Sequence, residues 1–95
     1  MRPRYSATAA RDLARIYRQS ILEYGLAQAD RYLAGLEEAV AGLCQHPESA
    51  PLRPELRSGV RLRPYGVHLI AYKAIDSTLL VVRVIHQRQD LMKRL

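Results

Sequence analysis

Near its C-terminus the sequence reads RVIHQRQDL, which places Arg83, His86, Arg88 and Asp90 within eight positions. Arginine and histidine so close together suit an active site, an anion-binding surface or the solvated end of a strand. General acid–base work would need a second group within hydrogen-bond reach of His86. With Arg61, Arg63 and His68 the cluster extends to a basic surface of six side chains. Spacing limits what they can do together. Residues three apart on a flat strand point to opposite faces, so Arg83 and His86 share a face only if the strand bends. Arg83 stands amid Val81, Val82, Val84 and Ile85, and an arginine in such company needs a partner: a carboxylate, or carbonyls left loose.

Other chemistries lack their residues. The five glycines are scattered and form no phosphate-binding loop. His46, His68 and His86 are far apart in sequence, with no pair at helical i, i+4 spacing, so zinc hydrolysis has no motif. A triad of Ser58, His68 and Asp76 can be written down, but no local pattern supports it. The single cysteine, Cys44, makes no internal disulfide and reads as a helix thiol packed beside Val40 and Leu43. We expect no metal and no cofactor.

Charge points to the partner. The 95 residues carry 15 basic and 9 acidic side chains, a net +6, and 13 of the 15 are arginine. Arginine favours planar, bidentate contacts with carboxylates and phosphates, so an anionic partner is expected. The opening MRPRYSATAA has no apolar core of a signal peptide, and no apolar run approaches a membrane span. A cytoplasmic protein is expected.

The elements that must position these groups follow from periodicity. RPRYS reads as a first edge strand, with Ser6 or Thr8 as the cap of the next helix. Residues 8–24 read as a helix, with Ala10, Leu13, Ile16, Tyr17, Ile21 and Tyr24 on one stripe and Gly25 as its stop. Residues 27–45 repeat the pattern through Ala29, Leu33, Leu36, Val40 and Leu43, and the short link makes the two an antiparallel hairpin. A loop rich in proline covers 47–59. GVRLRPYG then alternates Val60 and Leu62 against Arg61 and Arg63, a strand with an arginine face expected opposite the helices. VHLIAYKA and LLVVRVIH read as central strands joined by a tight turn at IDST, and DLMKRL as a terminal helical turn. The fold class is α+β: an N-terminal strand, an antiparallel helical hairpin, then a three-stranded antiparallel meander, in one domain over 1–95.

Taken in order, YSATAARDLARIY, YGLAQADRYLAGLEEAV, HPESAP, LRSGVRL, VHLIAYKA and VVRVIHQRQDL make nearly the whole chain resemble toxins of the ParE/RelE superfamily, the ParE branch in particular. The resemblance implies a bacterial type II toxin, a plasmid-stabilisation type of system, neutralised by a cognate antitoxin. ParE-like members act on DNA gyrase and block replication; RelE-like members cut messenger RNA on the ribosome. Metal-free RNA cleavage needs a base, a cation at phosphorus and an acid. The position that is basic in RelE falls here on Leu69, and only Lys73 and Lys93 are lysines. The resemblance therefore implies a gyrase inhibitor that performs no chemistry of its own. Ribosome-dependent cleavage through Arg61, Arg83, His86 and Arg88 is the alternative, and a non-toxic co-repressor module a third reading.

The implied partners are an acidic, ParD-like antitoxin in a hetero-oligomer, DNA gyrase, and operator DNA through the antitoxin alone. Leu13, Tyr17, Tyr24 and Tyr32 are the expected antitoxin contacts, on the hairpin surface, next to a sheet edge to which a strand can add. His86, Arg88, Lys93 and Arg94 are the expected target-binding residues.

Overall fold

The computed structural model describes residues 1–56 and 59–89. Its elements are β1 (Arg2–Tyr5), α1 (Ala7–Tyr24), α2 (Leu26–Gln45), β2 (Arg61–Tyr65), β3 (His68–Ile75) and β4 (Thr78–His86). They form the α+β fold expected from the sequence. The expected turn at DLMKRL lies outside the described residues.

Ser6 caps α1. Its Oγ accepts the Ala9 N–H at 2.9 Å, so the helix begins at Ala7. Gly25 alone joins the helices, at φ 89°, a backbone state that glycine adopts without steric cost. The strands lie in the order β1-β4-β3-β2. β2, β3 and β4 form the antiparallel meander, and β1 adds to β4 in parallel.

The stripe of α1 differs from the one periodicity suggests. Ala9 and Asp12 are buried and Ala10 is exposed. The helix turns its small and acidic residues toward β4, because the carboxylate of Asp12 has partners there. On α2 the expected residues Ala29, Leu36, Val40 and Leu43 are buried and Leu33 is half-buried.

The sheet is apolar on both faces. Toward the helices, Ile70, Tyr72, Leu79, Val81 and Val84 join Ala9, Leu36, Val40 and Leu43 in the main core. Cys44 packs against this core, half-buried. On the far face Val60, Leu62 and Ala71 make a second, smaller core, covered in part by Leu56 of the proline-rich loop. The expected arginine face is therefore turned round. Arg61 and Arg63 stand opposite Tyr72 and Ile70, on the helix side of β2, and Leu62 points away. The loop supplies the apolar cover that makes the far face a place for leucine.

One irregularity sets the end of the sheet. The register of β3 with β4 shifts between Ala71 and Tyr72: Tyr72 opposes Val81 and Ala71 opposes Arg83, so Val82 has no directly opposed residue. This β-bulge puts Val81 and Val84 on the same face and sends Arg83 to the other. Beyond it, His86 opposes His68 on the helix side.

Candidate functional site

β1 ends at Tyr5, opposite Val81, so β4 continues past it with an open edge. The start of α1 closes that edge. The Ser6 N–H donates to the Val81 carbonyl at 3.0 Å and Ser6 Oγ to the Val82 carbonyl at 2.8 Å. Asp12, only 1 % exposed, accepts the Val84 N–H at 3.0 Å. The same carboxylate receives Arg83 through Nε at 2.8 Å and Nη2 at 3.0 Å, and Arg15 Nη2 at 3.0 Å. Burial pushes the Asp12 carboxyl up. The hydrogen bonds from Arg83 and Val84 and the charges of Arg83 and Arg15 outweigh it and hold the group below its usual range. Arg83 is thus the partnered arginine its apolar neighbours demand. Asp12 was recognisable only as an acid lodged on an apolar stripe, between Ala9, Leu13 and Ile16.

Next to this cluster, between α1, the start of α2 and the end of the sheet, lies a cleft of about 560 Å³. Arg15 and Glu23 stand on its helical wall, and Tyr32, His68 and His86 are among its other lining residues. Tyr32 Oη lies 2.7 Å from His68 Nδ1 and donates to the Tyr65 carbonyl at 3.2 Å. In return Tyr65 Oη donates to the Tyr32 carbonyl at 3.1 Å. The Tyr32, His68 and His86 rings pack edge to face, each successive pair of centroids 5.6 Å apart. Two glycines make the room. A Cβ at Gly35 in α2 would collide with Tyr65 Oη, and one at Gly66 in the β2–β3 turn would lie 2.5 Å from Tyr32 Oη. Gly35 has a signal in the sequence: a glycine inside a helix costs stability and marks a close approach.

Both histidines are hydrogen-bonded through Nδ1. Burial, and then the neighbouring His86, push His68 below its ordinary value. The Arg88 N–H donates to His86 Nδ1 at 3.0 Å, so neutral His86 carries its proton on Nε2. That nitrogen donates and cannot act as a base or a metal ligand while this bond is made. Among the described residues no three His, Cys, Asp or Glu side chains group to hold a metal. The turn after β4 is fixed as well: Gln89 Oε1 accepts the His86 N–H at 3.0 Å, and the Gln87 N–H reaches the Val67 carbonyl at 2.8 Å. The lining of the cleft mixes polar side chains such as Arg15, Gln19 and Gln28 with apolar ones such as Ile16 and Val67.

The sequence-derived residues fall in several places. His86 lines the cleft, and Arg88 is exposed beside it. Arg61 donates to the Ala50 carbonyl at 2.6 Å from the helix side of β2, whereas Arg83 leaves β4 on the opposite face. Arg61 and Arg83 thus have β3 between them. Tyr24, 62 % exposed, and Tyr32 both line the cleft. Tyr17 donates to Asp30 at 2.5 Å across the hairpin, which raises its pKa, and Leu13 packs against the main core. Ser58, Asp90, Lys93 and Arg94 lie outside the described residues. No helix among the described residues is long and apolar enough to cross a membrane.

Comparison with known proteins agrees over nearly the whole chain. Residues 4–91 match the family model of the ParE toxin of type II toxin–antitoxin systems, parDE. Toxin ParE1 of Mycobacterium tuberculosis is 33 % identical over 91 residues, covering 95 % of this chain and 93 % of the relative. Toxin ParE of Escherichia coli is 34 % identical over 91 residues, covering 95 % and 88 %. Among solved structures, the chromosomal ParDE system of P. aeruginosa superposes with a TM-score of 0.78 at 22 % identity, over 90 % of this chain and 95 % of that one. A chain of the toxin–antitoxin complex RelBE2 from Mycobacterium tuberculosis superposes with a TM-score of 0.62 at 29 % identity, with the same coverage. Sequence order, strand topology and these relatives converge: the chain belongs to the ParE toxin family of type II toxin–antitoxin systems.

Proposed function

We propose that this protein inhibits DNA gyrase in the bacterial cytoplasm, blocks DNA replication, and is neutralised by an acidic, ParD-like antitoxin. The single observation that carries the choice of target is the separation of Arg61 from Arg83 across β3, with Arg83 engaged by Asp12. A nuclease would need its cation, base and acid around one phosphate. Poisoning a target by binding needs no such convergence. The target-binding surface is His86 and Arg88 with the basic segment that follows, including Lys93 and Arg94.

The antitoxin places an apolar segment along the cleft, against Tyr24 and Tyr32. Strand addition is the poorer mode here. β1 and β2 are the two edges, and each carries a proline, Pro3 and Pro64, with no N–H to offer. The loop already engages the start of β2: Leu52 bridges Arg61, and the Arg53 N–H donates to the carbonyl of Val60, just before the strand, at 2.8 Å.

The test is to add the purified protein separately to gyrase with supercoiled DNA and to translating ribosomes. Gyrase-dependent double-strand breaks with intact messenger RNA are expected. Cut A-site codons with unaffected gyrase would overturn the reading, and activity in neither assay would favour the co-repressor module. Deleting residues 88–95 should abolish toxicity and leave antitoxin binding intact.

A further inference from the structure

The far face of the sheet has two unlike halves. One is the small core of Val60, Leu62 and Ala71, beside which Ile85 is also buried. The other lies over β1 and the β3–β4 hairpin, and register defines it. Tyr5 and Val81 are a pair on the helix side, so Arg4 and its partner Leu80 point to the far face. Lys73 opposes Leu80 from β3. One step along, Arg2 pairs with Thr78, which also opposes Ile75. Two cross-strand rows result: Arg4–Leu80–Lys73 and Arg2–Thr78–Ile75. Arg2 and Arg4 are exposed, Ile75 is 46 % exposed, and Leu80, Lys73 and Thr78 are partly exposed.

We propose that this open half is a nucleic-acid contact surface that grips the phosphate backbone of DNA without reading its sequence. Three features favour it. The cations stand on a stiff lattice: Arg2 and Arg4 are about 7 Å apart along one strand, and Arg4 and Lys73 about 10 Å apart across two strand spacings. The two arginines offer planar forks suited to phosphate oxygens, and the Thr78 hydroxyl adds a donor between the rows. The patch also lies apart from the cleft at the sheet end and from the shallow depression at 45–49, neither of which these residues line. Among the described residues, Asp76 brings a carboxylate next to the rows, in the turn at the patch's end. The surface is separate from the cleft, and the proposal does not depend on gyrase being the target.

The experiment measures binding of the full chain to a short mixed-sequence DNA duplex by fluorescence anisotropy across a salt series. Three phosphate contacts contribute a slope of about −2.7 to log K against log salt, so affinity falls about 40-fold on going from about 50 to about 200 mM. The variant R2Q/R4Q/K73Q should lose that part of the slope. The charge-matched variant R11Q/R18Q/R31Q, changed at exposed helical arginines, should keep it. Circular dichroism and the thermal midpoint report folding, and amide-shift mapping of the unmodified protein should move Thr78 and Leu80 ahead of Val67 and His68. An equal loss of slope in both variants would reduce the effect to net charge and overturn the proposal. So would binding of polyglutamate on this face with no binding of duplex.

Discussion

Two polar clusters flank the end of β4, and they differ in what their hydrogen bonds face. Around Asp12 the bonds point inward. The carboxylate is sealed, it accepts from Arg83, Arg15 and Val84, and it substitutes for the strand that β1 does not extend to provide. Around Tyr32, His68 and His86 the bonds line an open wall. Arg15 belongs to both, with one end on Asp12 and its body in the cleft. The lesson is that an ionisable side chain on this sheet end is structural when it completes an edge, and available to a partner when it lines the cleft. Each of the following changes tests that division.

Asp12→Ala should be the most damaging single substitution. It removes the Asp12 carboxylate from the Arg83 guanidinium, whose side chain is only 16 % exposed, and leaves the Val84 N–H without its acceptor. Breaking a buried pair by removing one partner costs about 3–5 kcal/mol. A domain of this size has about 5–15 kcal/mol in total, so the urea midpoint should collapse or the protein should fail to fold. Because Asp12 titrates below its ordinary value, the stability it provides is complete above about pH 4 and is lost as pH falls through its folded value. Asp12→Asn should therefore be destabilised at neutral pH and show a flatter acid limb. If it unfolds at the same midpoint as the parent, the cluster does not hold the edge.

Gly35→Ala comes next. The new methyl meets Tyr65 Oη, and forcing it in costs about 1–3 kcal/mol, against about 1 kcal/mol gained from helix propensity. Adding Tyr65→Phe removes the clashing oxygen, so the double variant should recover much of the loss. A double-mutant cycle by chemical denaturation reads this coupling. No coupling would mean that α2 shifts freely, and that the cleft wall is less fixed than the two tyrosines suggest.

Much of this architecture is legible in the sequence, for identifiable reasons. The helices announce themselves because α2 keeps its apolar stripe from Ala29 to Leu43, and the meander because two tight turns separate β-branched runs. The N-terminal strand is legible from RPRYS, and the cap is narrowed to Ser6 or Thr8. What the sequence hides is long-range. Asp12 and Arg83 are 71 positions apart, and no local pattern couples them. The bulge at Val82 is invisible because valine, arginine and valine read as strand in either register. The orientation of Arg61 and Arg63 depends on whether the loop covers Leu62, and a proline-rich loop does not declare what it packs on. The cleft is half legible: Tyr24, Tyr32 and His86 stand out, but Gly35 and Gly66, which admit the rings, do not suggest a site by themselves.

Tyr32→Phe probes the open cluster at lower cost. It removes the hydroxyl shared with His68 and the Tyr65 carbonyl but keeps the ring, so about 1 kcal/mol of stability should go. Antitoxin affinity should fall by more than this loss of stability explains, since the altered wall is the proposed contact surface. Isothermal titration beside an unfolding curve separates the two. Equal affinity would assign Tyr32 to the fold alone.

The smallest expected effect is the pH dependence of His68, and its direction separates the two clusters. His68 lies below the ordinary 6.5 because burial, and then the adjacent His86, disfavour its charged form. The unfolded chain therefore binds the proton more readily than the folded one. Stability from this group is complete above 6.5 and drains away as pH falls through the lower folded value. That window opens at mildly acidic pH, well before Asp12 begins to respond. Stability should therefore fall in two stages on acidification, with His68→Gln removing the first and Asp12→Asn the second. Because the cleft is open, a bound antitoxin that accepts a hydrogen bond from His68 would oppose the first stage and leave the second untouched. If both stages vanish together in His68→Gln, the clusters are one cooperative unit and the division between a sealed edge and an open wall fails.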